Sequence, residues 1–229
     1  MIKHNFFGLD CGIDRDLTNY DNIEKALRNK GWQYRAINFL NQIHSNKVII
    51  IDDENKIHGK KNLPKTDAII TNLPKLAIAV ITADCAPIIV KSKNVVAAIH
   101  AGWRGAKLDV IKNAVMAMEK IGAKISEMQA FIGPMIHQKS YQVSQEFYDE
   151  FLVDEKNNVR FFMKDKEPQK YLFDLMGFVE DKLRQVGIAE IYNENIDTYE
   201  NYQKFASYRK ACHNDEESGG RNISIVMIG

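Results

Sequence analysis

The chain has 229 residues, 45% of them hydrophobic and 27% charged, a composition ordinary for a soluble globular protein. Lys and Arg number 31 against 30 Asp and Glu, so the formal net charge is only +1. That balance argues against nucleic acid as the main partner, but leaves room for a small anion held by two or three side chains. The longest apolar runs are too short to cross a bilayer, the start MIKHNFFGLD lacks a secretory core, and three scattered cysteines (Cys11, Cys85, Cys212) make no disulfide framework. A cytoplasmic protein with reduced thiols and no membrane partner is expected.

No repeat, low-complexity tract or Pro/Gly-rich linker divides the chain, so one domain over 1–229 is expected. In chain order, a short helix is expected over 22–29, followed by β-branched strands over 47–51, 68–71, 76–82, 88–91 and 95–100. A long helix over 107–121 follows, with Val110, Ile111, Ala114, Val115 and Met118 as its apolar stripe and Gly122 as its stop. Further helices are expected over 144–152, opened by Ser144, and over 174–186, ended by Gly187; a last strand runs over 223–228. Strands and helices do not alternate strictly, which predicts an α+β fold with mixed sheets rather than a doubly wound one.

The segment LAIAVITADCAPIIVKSKNVVAAIHAGWRGA carries the most chemistry. Two apolar strands flank the turn Lys91-Ser92-Lys93-Asn94. A hairpin centred between Ser92 and Lys93 would pair Ile89 with Val96 and set Cys85 directly opposite His100. Opposed residues share a face, with Cβ atoms about 4.5–5.5 Å apart, close enough for both side chains to share one metal. Pro87 removes a ladder donor, so the pairing is expected to become irregular beside Cys85. Taken alone, a strand-end cysteine is more often a small buried hydrophobe, and a strand-end histidine is more often simply hydrogen-bonded.

Upstream, the polar stretch Gln42, His44, Ser45 and Asn46 interrupts two strand patterns and suits a loop facing a pocket. Downstream, Gly102 and Gly105 precede the long helix and are expected to turn the backbone tightly at its N-terminus. Arg104 there offers a bidentate donor for phosphate or carboxylate. Arg209 and Arg221 flank Ser218-Gly219-Gly220 as two further anion-binding candidates. His4, His58 and His137 have no evident partners and read as surface or hydrogen-bonded residues.

NQIHSNKV, TDAIIT, TADCAPI, HAGWRGA, IGPMI with the downstream YQV, and FASYRK with GRNISIV resemble, in that order, the successive motifs of the YfiH-like laccase-domain family. Its members were named multicopper polyphenol oxidases and are now viewed as purine nucleoside phosphorylases with adenosine deaminase activity. The resemblance runs from about Gln42 to the end. It implies a four-layer α/β/β/α fold and a metal at His44, Cys85 and His100, with an open fourth position as a catalytic Zn²⁺ needs (Cu²⁺ being the other candidate). It also implies phosphorolysis of adenosine, inosine and methylthioadenosine, hydrolytic deamination of adenosine, and small-molecule partners (purine nucleosides and phosphate) for a monomer or small homo-oligomer. His44, Cys85, His100 and Asp84 become the candidate catalytic residues, Asp84 as proton shuttle or purine contact, or as a structural residue on the opposite face if its strand stays regular. Gln42, Arg104, Arg209 and Arg221 become candidates for substrate or phosphate.

The chain departs from the family pattern in three places. Leu9 and Cys11 stand in the N-terminal loop where an Arg before Gly-Gly is usual, Lys139-Ser140 stand where a cysteine precedes the YxV motif, and Asp197-Thr198 replace Cys-Thr. Few soft ligands remain beyond Cys85, which disfavours a multi-copper oxidase. Two other readings compete: a cysteine hydrolase or deamidase with Cys85 as nucleophile and His100 as base, and a non-catalytic protein with a structural metal or none. A third ligand at His44 favours the metal; an Asp or Asn orienting His100 favours the hydrolase.

Overall fold

The structure, a computed structural model, describes residues 1–14, 16–59 and 62–229. Its strands are β1 (Ile2–Phe7), β2 (Ile13–Asp14), β3 (Ala36–Asn38), β4 (Val48–Ile51), β5 (Ala68–Thr71), β6 (Leu76–Thr82) and β7 (Ala86–Lys91). They continue with β8 (Val96–Ala101), β9 (Gln129–Ile132), β10 (Gln142–Ser144), β11 (Phe162–Lys164), β12 (Lys170–Phe173), β13 (Glu190–Asn193) and β14 (Gly220–Ile228). The helices are α1 (Tyr20–Asn29), α2 (Trp103–Lys107), α3 (Val110–Lys120), α4 (Gln145–Asp154), α5 (Leu175–Gln185) and α6 (Tyr208–His213).

Alternation along the strands builds the layers. One sheet has the order β1-β14-β6-β3, with β2 also on β14; the other has the order β13-β9-β7-β8-β5-β4. Ile69, Ile78, Val80, Ile89, Val96, Ala98 and Val226 fill the space between the two sheets. The alternate residues of the second sheet, Ile70, Ile88, Val90, Ala97 and Ile99, pack on Ile111, Ala114 and Met118 of α3 and on Phe178 and Leu183 of α5. On the far side, Ala77, Ala79, Ile223 and Ile225 pack on Ile23 and Leu27 of α1. Each fully buried Ile or Leu contributes about 1.5–3 kcal/mol by leaving water. This is the expected α+β fold with four layers, α/β/β/α. A small third sheet, β10-β12-β11, lies beside them.

Caps set the outer helices. Ser144 accepts from the Phe147 N–H at 3.4 Å to open α4, and Asp174 accepts from the Gly177 N–H at 2.9 Å to open α5. The helix expected over 107–121 is α3, which starts three residues later, after the separate short helix α2. Asp109 takes a left-handed φ of 67°, breaking the run after Leu108, and its carboxylate pairs with Lys182 Nζ on α5 at 2.7 Å. Periodicity survives such a break because α3 alone carries the whole apolar stripe.

The β7–β8 hairpin corrects a second expectation. Its turn is centred between Lys93 and Asn94, closed by the Ser92 N–H on the Val95 carbonyl at 2.9 Å, so Ile89 pairs with Ala98 and Pro87, not Cys85, stands opposite His100. The slip is two residues. Strand parity is unchanged by an even slip, so His100 stays on the face of Val96 and Ala98, turned toward the other sheet. Cys85 lies in the bend just before β7. Among the described residues, no helix is long and apolar enough to cross a membrane.

Candidate metal centre

Three elements end at one mouth of the space between the sheets. His100 closes β8 on the inter-sheet face, Asp67 precedes β5 on the face of Ile69, and the bend at Cys85 leads into β7. Gln42 anchors the loop carrying His44: its amide donates to the Ile81 carbonyl at 2.7 Å and accepts from the Ile81 N–H at 2.8 Å. Both ends of the amide are therefore engaged with β6, which makes Gln42 a strap for the loop.

The ligand atoms of His44, Cys85 and His100 all lie within 4.8 Å of one another. Cys85 Sγ stands 3.8 Å from His44 Nε2, and the two imidazole rings meet edge to face at 4.8 Å. Tetrahedral zinc with bonds of about 2.0–2.3 Å places its donors roughly 3.3–3.6 Å apart, so small side-chain adjustments suffice. Among the described residues no fourth His, Cys, Asp or Glu joins the group. Burial is graded across it: His100 is buried, Cys85 partly buried and His44 exposed, so the centre faces solvent on the His44 side.

Two local features hold this packing. His44 has a left-handed φ of 57°, at a cost of about 1–2 kcal/mol for a non-glycine residue. Gly102 fits against the cluster because it has no side chain; a Cβ there would sit 2.9 Å from Cys85 Sγ and 3.0 Å from His44 Cδ2. The sequence suggested a tight turn at Gly102 and Gly105. Neither has a positive φ: Gly102 caps α2, and Gly105 lies inside it, where a Cβ would meet the Ser45 carbonyl at 3.1 Å. Close approach, not a turn, requires these glycines.

Electrostatics reinforce the geometry. Burial alone would push the Cys85 thiol up, but the His100 and His44 imidazoles beside it bring it down to about 6. Burial alone would discharge His100, yet the Cys85 sulfur and the Asp67 carboxylate hold its proton well above the usual range for histidine. Asp67 is the residue that sequence reading missed. Fully buried, it accepts from His100 Nδ1 at 2.9 Å, and hydrogen bonds from His100 and Ser45 outweigh burial and lower it to about 2. A Thr-Asp pair immediately before a strand was the available signal.

Asp84 sits beside Cys85 with a φ of 85°, and its buried carboxylate accepts from the Thr198 hydroxyl at 2.6 Å and the Arg209 N–H at 2.7 Å. Burial raises its pKa, against those hydrogen bonds. The Arg209 guanidinium donates to the Gln142 carbonyl at 2.7 Å and lies 5.3 Å over the Tyr141 ring. Tyr141 is a second residue the sequence did not single out; burial and then the Cys85 charge raise its hydroxyl. Arg104 is exposed on α2, and Arg221 donates to the Ser218 and Gly220 carbonyls at 2.8 and 2.7 Å, bracing its own turn. Two departures from the family pattern meet here, since Ser140 donates to Asp197 at 2.6 Å.

Residues 6–229 match the family described as multi-copper polyphenol oxidoreductase laccase. The purine nucleoside phosphorylase of Rickettsia prowazekii (strain Madrid E) is 36% identical over 191 residues, 82% of this chain and 77% of that protein. The purine nucleoside phosphorylase YfiH of Escherichia coli (strain K12) is 30% identical over 194 residues, 83% of this chain and 73% of its own. Among solved structures, a Neisseria meningitidis protein aligns over 96% of this chain and 85% of its own, with a TM-score of 0.78 and 29% identity. The Bacillus licheniformis YfiH protein, at a TM-score of 0.82 and 22% identity over 94% of this chain and 83% of its own, shares the fold. The chain belongs to the multi-copper polyphenol oxidoreductase laccase family, the YfiH-like group its motifs resemble.

Proposed function

We propose that this chain is a zinc-dependent purine nucleoside enzyme, converting adenosine, inosine and methylthioadenosine with phosphate to the free base and (methylthio)ribose 1-phosphate, and also deaminating adenosine. The observation that carries the reading is the donor set: two imidazoles and one thiolate within 4.8 Å of one another, with no fourth such donor among the described residues. The relatives named purine nucleoside phosphorylases support the substrate class. Tetrahedral N₂S chemistry with an open position suits zinc, with copper the second choice. When bound, the ion supplies a Lewis acid that stabilises negative charge developing on the substrate and favours attack by water.

In phosphorolysis a phosphate oxygen bonds to C1′ as the C1′–N9 bond breaks, and the electron pair leaves on the purine, which takes up a proton. Arg104 and Arg209 are our candidates to hold the phosphate; Arg209 keeps guanidinium donors beyond the one on Gln142. In deamination, water adds at C6 and ammonia leaves. Asp84, engaged with Thr198 and Arg209, fits a role in fixing the bend that presents Cys85 and the Arg209 backbone better than a role as proton shuttle. The same reading places the chain in the cytoplasm, where thiols stay reduced.

A second reading has a specific observation behind it. Asp67 on His100, and His100 beside a low-pKa Cys85, form the carboxylate–imidazole–thiolate series of a cysteine hydrolase. His44, at 3.8 Å from Sγ, favours the metal. Elemental analysis of the purified protein, with inosine turnover measured with and without phosphate, separates the two. The metal reading expects about one zinc per chain and hypoxanthine release only with phosphate. Activity that survives complete metal removal but not thiol alkylation establishes the hydrolase instead.

A further inference from the structure

One carboxylate reaches both histidines of the cluster. Asp67 Oδ1 accepts from the His44 backbone N–H and from His100 Nδ1, each at 2.9 Å. Oδ2 accepts from the Ser45 N–H at 2.6 Å, the Ser45 hydroxyl at 2.7 Å and the Ile43 N–H at 3.3 Å. The Asp67 carbonyl also accepts from the His100 N–H at 2.7 Å. Five of these bonds are to its carboxylate, which is wholly buried.

Chemistry gives this arrangement two consequences. An ionised carboxylate only accepts, so the ring nitrogen facing it, Nδ1, carries the hydrogen, and the His100 tautomer is fixed with Nε2 turned to Cys85 and His44. The other bonds fasten three successive backbone N–H groups of the His44 loop, including that of His44 itself in its left-handed conformation. Gln42 straps the loop to β6 two residues upstream, while Asp67 grips the ligand residue itself.

We propose that Asp67 is the positioning residue of the metal centre, presenting His100 through Nε2 and pinning the His44 loop, so that it sets the affinity for zinc. The proposal rests on the metal reading given above. Outer partners of this sort typically govern metal affinity by about 10–100-fold.

The test is Zn²⁺ binding to the full chain at fixed pH, by competition with a chromophoric chelator, for the wild type, Asp67→Asn and Ser45→Ala. Asp67→Asn replaces one acceptor by a donor facing N–H groups, and zinc affinity is expected to fall about 10–100-fold; Ser45→Ala removes a single bond to the same carboxylate and is expected to fall by less than about fivefold. Because Asp67→Asn can fail to fold, ¹⁵N shifts of His100 in the zinc-loaded wild type give an independent readout, with Nδ1 protonated and Nε2 bound to the metal. Folded Asp67→Asn with wild-type zinc affinity, or a His100 bound through Nδ1, overturns the proposal while leaving the metal reading intact. A wild-type chain that binds no zinc overturns both.

Discussion

Two imidazoles along the space between the sheets are held in opposite states. On the edge strand β1, His4, on the same face as its partner Val226, meets the Phe131 ring at a tilt with centroids 4.5 Å apart, and burial followed by the Lys91 charge lowers it to about 4. On β8, His100 is more deeply buried, yet Cys85 and Asp67 hold its proton on. Burial pushes both the same way, so the sign of the neighbouring charges makes the difference. The thiols repeat the lesson: Cys11, buried under α1 with Asp10 nearby, is pushed up to about 11, whereas Cys85 comes down to about 6. Burial alone makes a side chain inert; paired opposite charges make it reactive.

The largest effect that tests this contrast is in the matched pair Cys85→Ala and Cys11→Ala. Loss of a ligand is expected to remove bound zinc and lower inosine phosphorolysis by more than about a hundredfold. Cys11→Ala is expected to leave turnover within about twofold and to cost about 1–2 kcal/mol of stability through lost packing. Equal loss in both variants would erase the distinction. Next comes Gly102→Ala, whose Cβ would press on Cys85 Sγ and His44 Cδ2. Zinc affinity measured by chelator competition should drop about tenfold, with about 1–3 kcal/mol of destabilisation in chemical denaturation.

A smaller effect is sought in thiol chemistry. In metal-free protein, alkylation at Cys85, followed by peptide mass spectrometry, should be half-maximal near pH 6 and level above it, while Cys11 stays unlabelled until the chain unfolds. The smallest concerns His4. Its folded pKa lies near 4, below the usual 6.5, so between these values the unfolded chain binds more protons and acidification erodes stability. His4→Gln should recover about 1 kcal/mol at pH 4 relative to pH 7, the full shift being discounted because the ring is half-buried. An unchanged pH dependence in denaturant midpoints would show that Lys91 and burial do not act on His4 as described.

Strongly apolar strands were legible from sequence: 68–71 and 76–82 match β5 and β6, because four to seven buried β-branched and small residues admit little else. Strands of three or four residues with polar neighbours, such as β3 and β10, carried no such signal. The hairpin register was off by two because Ser92 opens the turn instead of occupying its centre. Even so, parity kept His100 on the face toward Cys85. His44 was not reachable from local spacing, since its approach depends on Asp67 and Gln42, residues whose polar character looks like an ordinary loop until the fold buries one and pairs the other. Arg221 and Asp84 attracted attention by charge and adjacency; the structure braces Arg221 on its own turn and engages the Asp84 carboxylate with Thr198 and Arg209, far along the chain.

The last strand has a consequence for how the centre is made. β14 lies between β1 and β6, pairing Ile228 with Ile2 and Asn222 with Thr82. A ribosome emits residues 220–228 long after both neighbours, so during synthesis β1 and β6 wait with unpaired edges that invite association with other chains. Thr82 closes β6 three residues before Cys85, which means the bend that presents the thiolate gains its full support late. A chain stalled short of residue 220 would carry His44, Cys85 and His100 and still lack the strand that steadies the bend at Cys85.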